Sequence, residues 1–433
     1  MAPETPVTTC FGLSLAALLA LGPACGDPSS EGSGEEEQAT ETSAGSGELE
    51  TETRATETET ETGEQGPDRD ALIAELSAPG PYTVGFKELE ISYMPPGMDE
   101  PRVLPVKLWY PGVEDPDAAL AKYSLAGLVQ LPNTSTLENI SVAEDGPFPV
   151  VVYSHGSGGA GILPYPFAER FASHGWVLIS ADHVGNTVSS ALNGNGLGFI
   201  QMGVMRPLDI RALLDALEDG LEGDEVAAAS NLDEVFLFGH SFGGYTTFAS
   251  GGVLVDYDRL LQLCSGEECT YLMDPAVEAA VTEGLFDPRI DALSPQAPAL
   301  YSAFQDGAYG NIGIPTLLQS GRLDITTTHQ SEAQPAWDAL DAPDDVWLDL
   351  PAGGHYSFIT ICEDLDPALL ALVQPSNADD GCGEQFTPVD ELIPVLSTYM
   401  LGFAKRHVLG ETDYELIFEG ESLHPEIDLR RHE

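Results

Sequence analysis

Val235-Phe236-Leu237-Phe238-Gly239-His240-Ser241-Phe242-Gly243-Gly244 is the stretch on which the fold of this chain turns. Four apolar residues in a row predict a strand covered on both faces. Gly239 and Gly243 then frame Ser241 as G-x-S-x-G, and Gly244 opens a small-residue helix. That pattern sets a serine on a strained strand-to-helix turn with its hydroxyl pushed into the open. The flanking glycines are needed because a Cβ at either place would meet neighbouring backbone. The helix aims its first N–H groups and its positive dipole end at the same spot. Ser241 is therefore the candidate nucleophile. The bland alternative is a Gly-rich turn with an idle serine.

Upstream, residues 148–154 read as a core strand that runs straight into His155-Gly156-Ser157-Gly158-Gly159. Residues 82–93 and 103–110 read as earlier strands, 167–174 as a helix and 176–181 as the next strand. Residues 207–217 are amphipathic, with Pro207 expected in the first turn of that helix. Downstream, 290–293, 314–321 and 346–350 read as strands, and 333–340 and 393–409 as helices. Strands alternating with helices predict an α/β fold with a mostly parallel central sheet and helices on both faces. Residues 252–288 break the pattern and are expected to be an insertion, a candidate lid.

A serine hydroxyl is a poor nucleophile at neutral pH and needs a base beside it and a group to orient that base. Two later strands supply candidates. One runs into Gly321-Arg322-Leu323-Asp324, the other into Pro351-Ala352-Gly353-Gly354-His355. Catalytic groups of parallel sheets gather at the carboxyl ends of strands, where Ser241, Asp324 and His355 all fall. Asp344, Asp345 and Asp349 are rival acids, but they precede or lie within the last strand. His155, His183 and His240 are rival bases; His240 adjoins the nucleophile, so its ring should turn away from Ser241 into the core. The oxyanion needs backbone donors. The expected pair is the N–H of Phe242 and that of Ser157, with Gly156 and Gly158 alongside against the substrate.

SHGSGG, GHSFGG, GRLD and GGHYSF, in that chain order, resemble the α/β-hydrolase fold. They are most similar to the branch holding platelet-activating-factor acetylhydrolases, dienelactone hydrolases and bacterial polyester hydrolases, over about residues 82–410. The resemblance implies a serine esterase without metal or cofactor, with the triad and oxyanion roles on the residues just named. Ser294-Pro295-Gln296-Ala297-Pro298 is similar to the QAP segment of the polyester hydrolases. Ala299 and Ser157 stand where those enzymes carry aromatic residues. Eukaryotic acetylhydrolases place the acid after an earlier strand; no aspartate matches there, which favours Asp324. An aspartate at 241 would have indicated a dehalogenase. Acyl transfer, peptidase and perhydrolase chemistry share the triad, and a noncatalytic surface binding module is the rival from another class.

Sixteen Lys and Arg stand against 71 Asp and Glu, a net charge of −55. Such a surface repels nucleic acid and anionic lipid headgroups. Residues 11–22 form an apolar run ending near Ala24-Cys25-Gly26, too short to span a bilayer and similar to a signal-peptide core. No Lys or Arg precedes it. The expectation is a leader over 1–25, Cys25 as a lipidation candidate, and export to the cell envelope or beyond. Residues 26–70 are rich in Glu, Thr, Ser and Gly and are expected to be a solvated tether. The catalytic domain is expected over 80–410 and a tail over 411–433. Beyond the leader, Cys264, Cys269, Cys362 and Cys382 fit an oxidising compartment. Four cysteines allow three pairings, and the local ones, 264 with 269 and 362 with 382, are preferred because both intervals are loop-like. Zinc is the rival, disfavoured by the spacing. The expected partner is a small or lipid-like ester, and the expected state a monomer.

Overall fold

The computed structural model describes residues 68–373 and 377–432. The leader, Cys25 and nearly all of the proposed tether lie outside the described residues.

Among the described residues twelve strands form in chain order: β1 (Thr83–Tyr93), β2 (Arg102–Gly112), β3 (Tyr123–Leu125), β4 (Val129–Leu131), β5 (Leu137–Glu138), β6 (Phe148–Ser154), β7 (Val177–Ala181), β8 (Ser230–His240), β9 (Ala292–Gln296), β10 (Leu317–Gly321), β11 (Val346–Leu350) and β12 (Asp428–Arg431). Ten of them make one sheet in the order β12-β11-β10-β9-β8-β6-β7-β2-β1-β5, and β3 pairs with β4 apart from it. The run from β7 to β11 is parallel throughout. β2 pairs antiparallel with β7, and β12 antiparallel with β11. The sheet is thus mostly parallel, as the alternation of strands and helices predicted.

The apolar strands are explained by burial on both sides. Every residue of β6, β7, β9, β10 and β11 is buried. Side chains alternate between two cores, as a strand period of two requires. Val150, Val152, Val235 and Leu237 face one, with the helices Phe199–Glu218 and Phe242–Gly251. Val151, Tyr153, Phe236 and Phe238 face the other, with the helices Tyr165–Ser173 and Val389–His407.

Three expectations need correction. The first concerns Pro207, which sits in the interior of Phe199–Glu218 rather than in a first turn. Proline has no N–H to give the carbonyl four residues back, here that of Gly203. The Tyr245 hydroxyl donates to that carbonyl at 3.1 Å. A tertiary donor replaces the missing bond, so the helix runs on.

The second concerns the start of the folded body. A helix covers Arg69–Ser77, with Asp68 accepting from the Asp70 N–H at its start. Leu76 is fully buried, and Arg69 donates to the carbonyls of Leu416 and Glu421. Structure therefore begins inside the proposed tether and ahead of residue 80.

The third is the tail. Tyr414, Ile417 and Phe418 are buried beside the Val389–His407 helix, and β12 pairs with β11 across Val346 to Asp349. A short charged edge strand is a usual way to blunt a sheet. Its charge is what made it look like a tail.

The insertion holds three helices, Tyr257–Leu263, Glu267–Leu272 and Pro275–Glu283. Leu260, Leu272, Val277 and Val281 bury into the core that packs on Phe199–Glu218. Disulfides join Cys264 to Cys269 and Cys362 to Cys382, the preferred local pairs, with Cα separations of 5.2 and 5.3 Å.

Candidate active site

Ser241 sits between β8 and the helix Phe242–Gly251 at φ 59°, ψ −117°, a conformation that L residues seldom adopt. The surroundings impose it. A Cβ on Gly243 would lie 1.8 Å from the Ser154 carbonyl oxygen, and one on Gly239 would lie 2.5 Å from the Gly243 oxygen. Only glycines let the turn close this tightly against the end of β6. The QAP segment then braces it: the Ser241 N–H donates to the Gln296 carbonyl at 2.8 Å, and the Ala299 N–H donates to the Ser241 carbonyl at 3.2 Å.

β10 and β11 deliver the next two groups at the same sheet edge. Nδ1 of His355 lies 2.9 Å from Oδ2 of Asp324. The Thr327 hydroxyl donates to the same oxygen at 2.7 Å, and the N–H groups of Thr326 and Thr327 donate to Oδ1 at 2.8 and 2.7 Å. Burial disfavours the charged Asp324, but His355 and these donors outweigh it and hold the carboxyl below its usual range. A carboxylate in that state accepts the Nδ1 proton, which leaves Nε2 of His355 as the basic nitrogen on the far side of the ring.

The rivals have other work. Asp345 lies at the entry of β11 and accepts from the N–H groups of Thr316 and Ala342. Asp349 lies within β11 and pairs with Arg322 and Arg430. Asp344 lies beside Asp345, at that same entry. His240 is buried, and its Nε2 donates to the His355 carbonyl at 2.8 Å. Its ring centroid is 4.7 Å from that of His355. Burial pushes its pKa down to about 3, so it is neutral. The residue beside Ser241 thus ties the Ser241 turn to the His355 loop.

The loop after β6 approaches from the other side. A Cβ on Gly156 would lie 3.3 Å from the Ser241 Cβ. The Gly158 N–H donates to the Asn186 carbonyl at 3.1 Å and the Gly159 N–H to the Gly156 carbonyl at 3.0 Å. Gly158 therefore spends its donor on the neighbouring loop after β7. The Asn186 amide donates to the Ser157 hydroxyl at 3.1 Å.

Two sets of residues here were missed from sequence. Asp380 is buried and takes the N–H of His355 on Oδ1 at 3.1 Å. Its Oδ2 takes the N–H groups of Ile325 and Thr326 at 3.0 and 2.9 Å and the Thr326 hydroxyl at 2.6 Å. One carboxylate so clips the Asp324 loop to the His355 loop. Nothing in the sequence marks it among 71 acids.

The second set lies behind the Gly156–Gly158 loop. Asp209 accepts from Nε and Nη2 of Arg102 at 2.6 and 2.8 Å, from the Tyr93 hydroxyl at 2.6 Å and from Nδ1 of His183 at 2.8 Å. Nε2 of His183 accepts from the Ser154 hydroxyl at 2.9 Å. Burial works against the Asp209 anion, yet Arg102 and His183 hold it at about 2. Burial, then Arg206, push His183 down to about 4. This second acid, base and serine set is sealed: all three side chains are buried in the interior. His155 accepts the His183 N–H on Nε2 at 3.0 Å, so its Nδ1 carries the proton toward the Gly156 carbonyl at 2.7 Å. The available signal was Arg206 and Asp209 within the apolar run from Met202 to Leu214, in a chain with only sixteen basic residues.

No protein-family model and no curated protein matches this chain. Among solved structures it resembles a ferulic acid esterase from Streptomyces cinnamoneus, with a TM-score of 0.59 and 22% identity over 82% of this chain and 99% of the other. The chain has the α/β-hydrolase fold.

Proposed function

We propose that this chain is an exported serine hydrolase that cleaves carboxylic esters of short acyl chains through an acyl-enzyme. The observation that carries this is the pairing of Asp324 with His355 at 2.9 Å, at the same sheet edge as a serine held at φ 59°. Ser241 Oγ attacks the ester carbonyl carbon while His355 Nε2 takes its proton. Asp324 keeps the imidazole oriented and steadies the imidazolium. The N–H groups of Phe242 and Ser157 hold the oxyanion, with Gly156 beside them. Collapse expels the alcohol, which takes the proton back from His355. Water, deprotonated by the same nitrogen, then releases the acid. That the structural neighbour is an esterase supports ester chemistry on this scaffold.

Export is supported by two disulfides in a chain with an apolar leader sequence. Among the described residues no helix is long and apolar enough to cross a membrane. Attachment would then fall to a lipid on Cys25, with the acidic stretch after it as tether and the body from Arg69 onward as the catalytic domain.

A fluorophosphonate probe tests the assignment. Wild type should be labelled and should hydrolyse p-nitrophenyl acetate, and Ser241→Ala should lose both while keeping its fold. Labelling that survives the substitution, or folded wild type that never labels, sinks the assignment and leaves a binding module.

A further inference from the structure

We propose that Arg206 is a positioning residue for the oxyanion site, joining its two halves from behind and lending them a buried positive charge. This rests on the assignment of Ser241 as nucleophile with Phe242 and Ser157 as donors. Arg206 projects from the middle of the Phe199–Glu218 helix and is fully buried. Its guanidinium reaches both sides of the site. On one side Nη2 donates to the His155 carbonyl, next to Gly156, and Nη1 donates to the Asn186 side-chain oxygen at 2.6 Å. Asn186 passes the constraint on, because its amide holds the Ser157 hydroxyl and its carbonyl holds the Gly158 N–H. On the other side the guanidinium lies 4.6 Å from the centroid of the Phe242 ring. The Phe199 ring, from the same helix, stacks on Phe242 at 4.3 Å. Nε is 3.3 Å from the Thr246 hydroxyl, one turn further along the nucleophile helix.

The fork geometry of arginine suits this task, since its donors lie in one plane and point in fixed directions. Lysine offers one point charge and cannot span the same acceptors. The charge count matters too. The buried cluster holds Arg102 and Arg206 but one carboxylate, Asp209, which Arg102 grips through Nε and Nη2. The surplus cation sits beneath the site where a negative oxygen forms, in a medium of low dielectric. In a chain of net charge −55 that local reversal of sign favours the tetrahedral state over the neutral ester.

The test separates oxyanion positioning from plain structural support. Arg206→Lys and Asn186→Ala are compared with wild type for kcat and KM on p-nitrophenyl acetate, for inhibition by an alkyl trifluoromethyl ketone, and for melting temperature. The ketone mimics the tetrahedral adduct, whereas KM reports the ground state. Arg206→Lys should lose kcat by about 30-fold or more and Asn186→Ala by about fivefold, with KM near wild type and ketone affinity falling in step with kcat. Asn186 is partly exposed, so its variant decides the matter if Arg206→Lys does not fold. Folded variants that keep kcat and ketone affinity within about twofold of wild type overturn the proposal, as does a loss confined to KM. Wild type that neither turns over the ester nor reacts with a fluorophosphonate removes the nucleophile assignment, and this proposal with it.

Discussion

Replacing Asp380 should damage catalysis far more than it damages the fold. The carboxylate takes four donors, and two buried ones, the His355 N–H and the Thr326 hydroxyl, would lose their acceptor with it, whereas the Thr326 N–H keeps Oδ1 of Asp324. A buried donor left unpaired costs about 1–3 kcal/mol, less where water can enter. Asp380→Ala opens room for water, so a total near 3 kcal/mol is expected. With an unfolding entropy of about 2.1 cal/mol/K per residue over roughly 360 residues, that moves the melting temperature by only about 4 °C. The catalytic effect is larger because the same carboxylate fixes two loops at once. Freeing them by about 1 Å should cost about 10–100-fold in kcat. Asp380→Asn should fall between. Its single oxygen satisfies the Thr326 side best, which sets an amide N–H against the N–H of His355. Kinetics on p-nitrophenyl acetate and a thermal melt of each variant check this. Asp380→Ala with kcat within about threefold of wild type would refute the reasoning.

Two further outcomes are expected. Tyr245→Phe removes the donor that serves the Gly203 carbonyl and should cost about 1–2 kcal/mol in urea unfolding. Pro207→Ala returns an N–H to that carbonyl, so the Tyr245→Phe cost should shrink in the Pro207→Ala background; equal costs in both would show the two sites to be uncoupled. Glu332 is buried, accepts the Tyr301 N–H at 2.6 Å, and is pushed up to about 7 by burial. A raised carboxyl pKa means the folded state binds the extra proton, so stability is intact below the usual pKa and declines as pH rises toward 7. Glu332→Gln should therefore match wild type near pH 4.5 and melt higher at pH 8; equal melting at both pH values counts against the burial effect.

What could be read from sequence was what short spacing encodes. Gly239, Ser241 and Gly243 are local, and local sterics fix the turn. Asp324 and His355 follow predicted strands within a few residues, so strand polarity alone put them at one edge, where they lie 2.9 Å apart. The disulfides were legible because each closes a short interval. The failures are long-range. Pro207 was misread because its compensating donor, Tyr245, comes from another helix. Asp380 and Arg206 were missed because a charge reveals its purpose only through partners far away in sequence. Residues 411–433 looked like a tail because their few apolar side chains find their places only against helices made earlier in the chain.

β12 has a consequence for how this molecule comes into being. A polypeptide leaving a ribosome or a translocation channel amino end first presents β6, β7 and β8 well ahead of β11, and β11 ahead of the strand that flanks it. The side of the sheet carrying Ser241 can be laid down while the side carrying His355 still lacks an outer neighbour. On the proposed reading, a nascent or clipped polypeptide lacking β12 would hold Ser241 in its turn while β11, the strand that leads to His355, still lacked its outer neighbour.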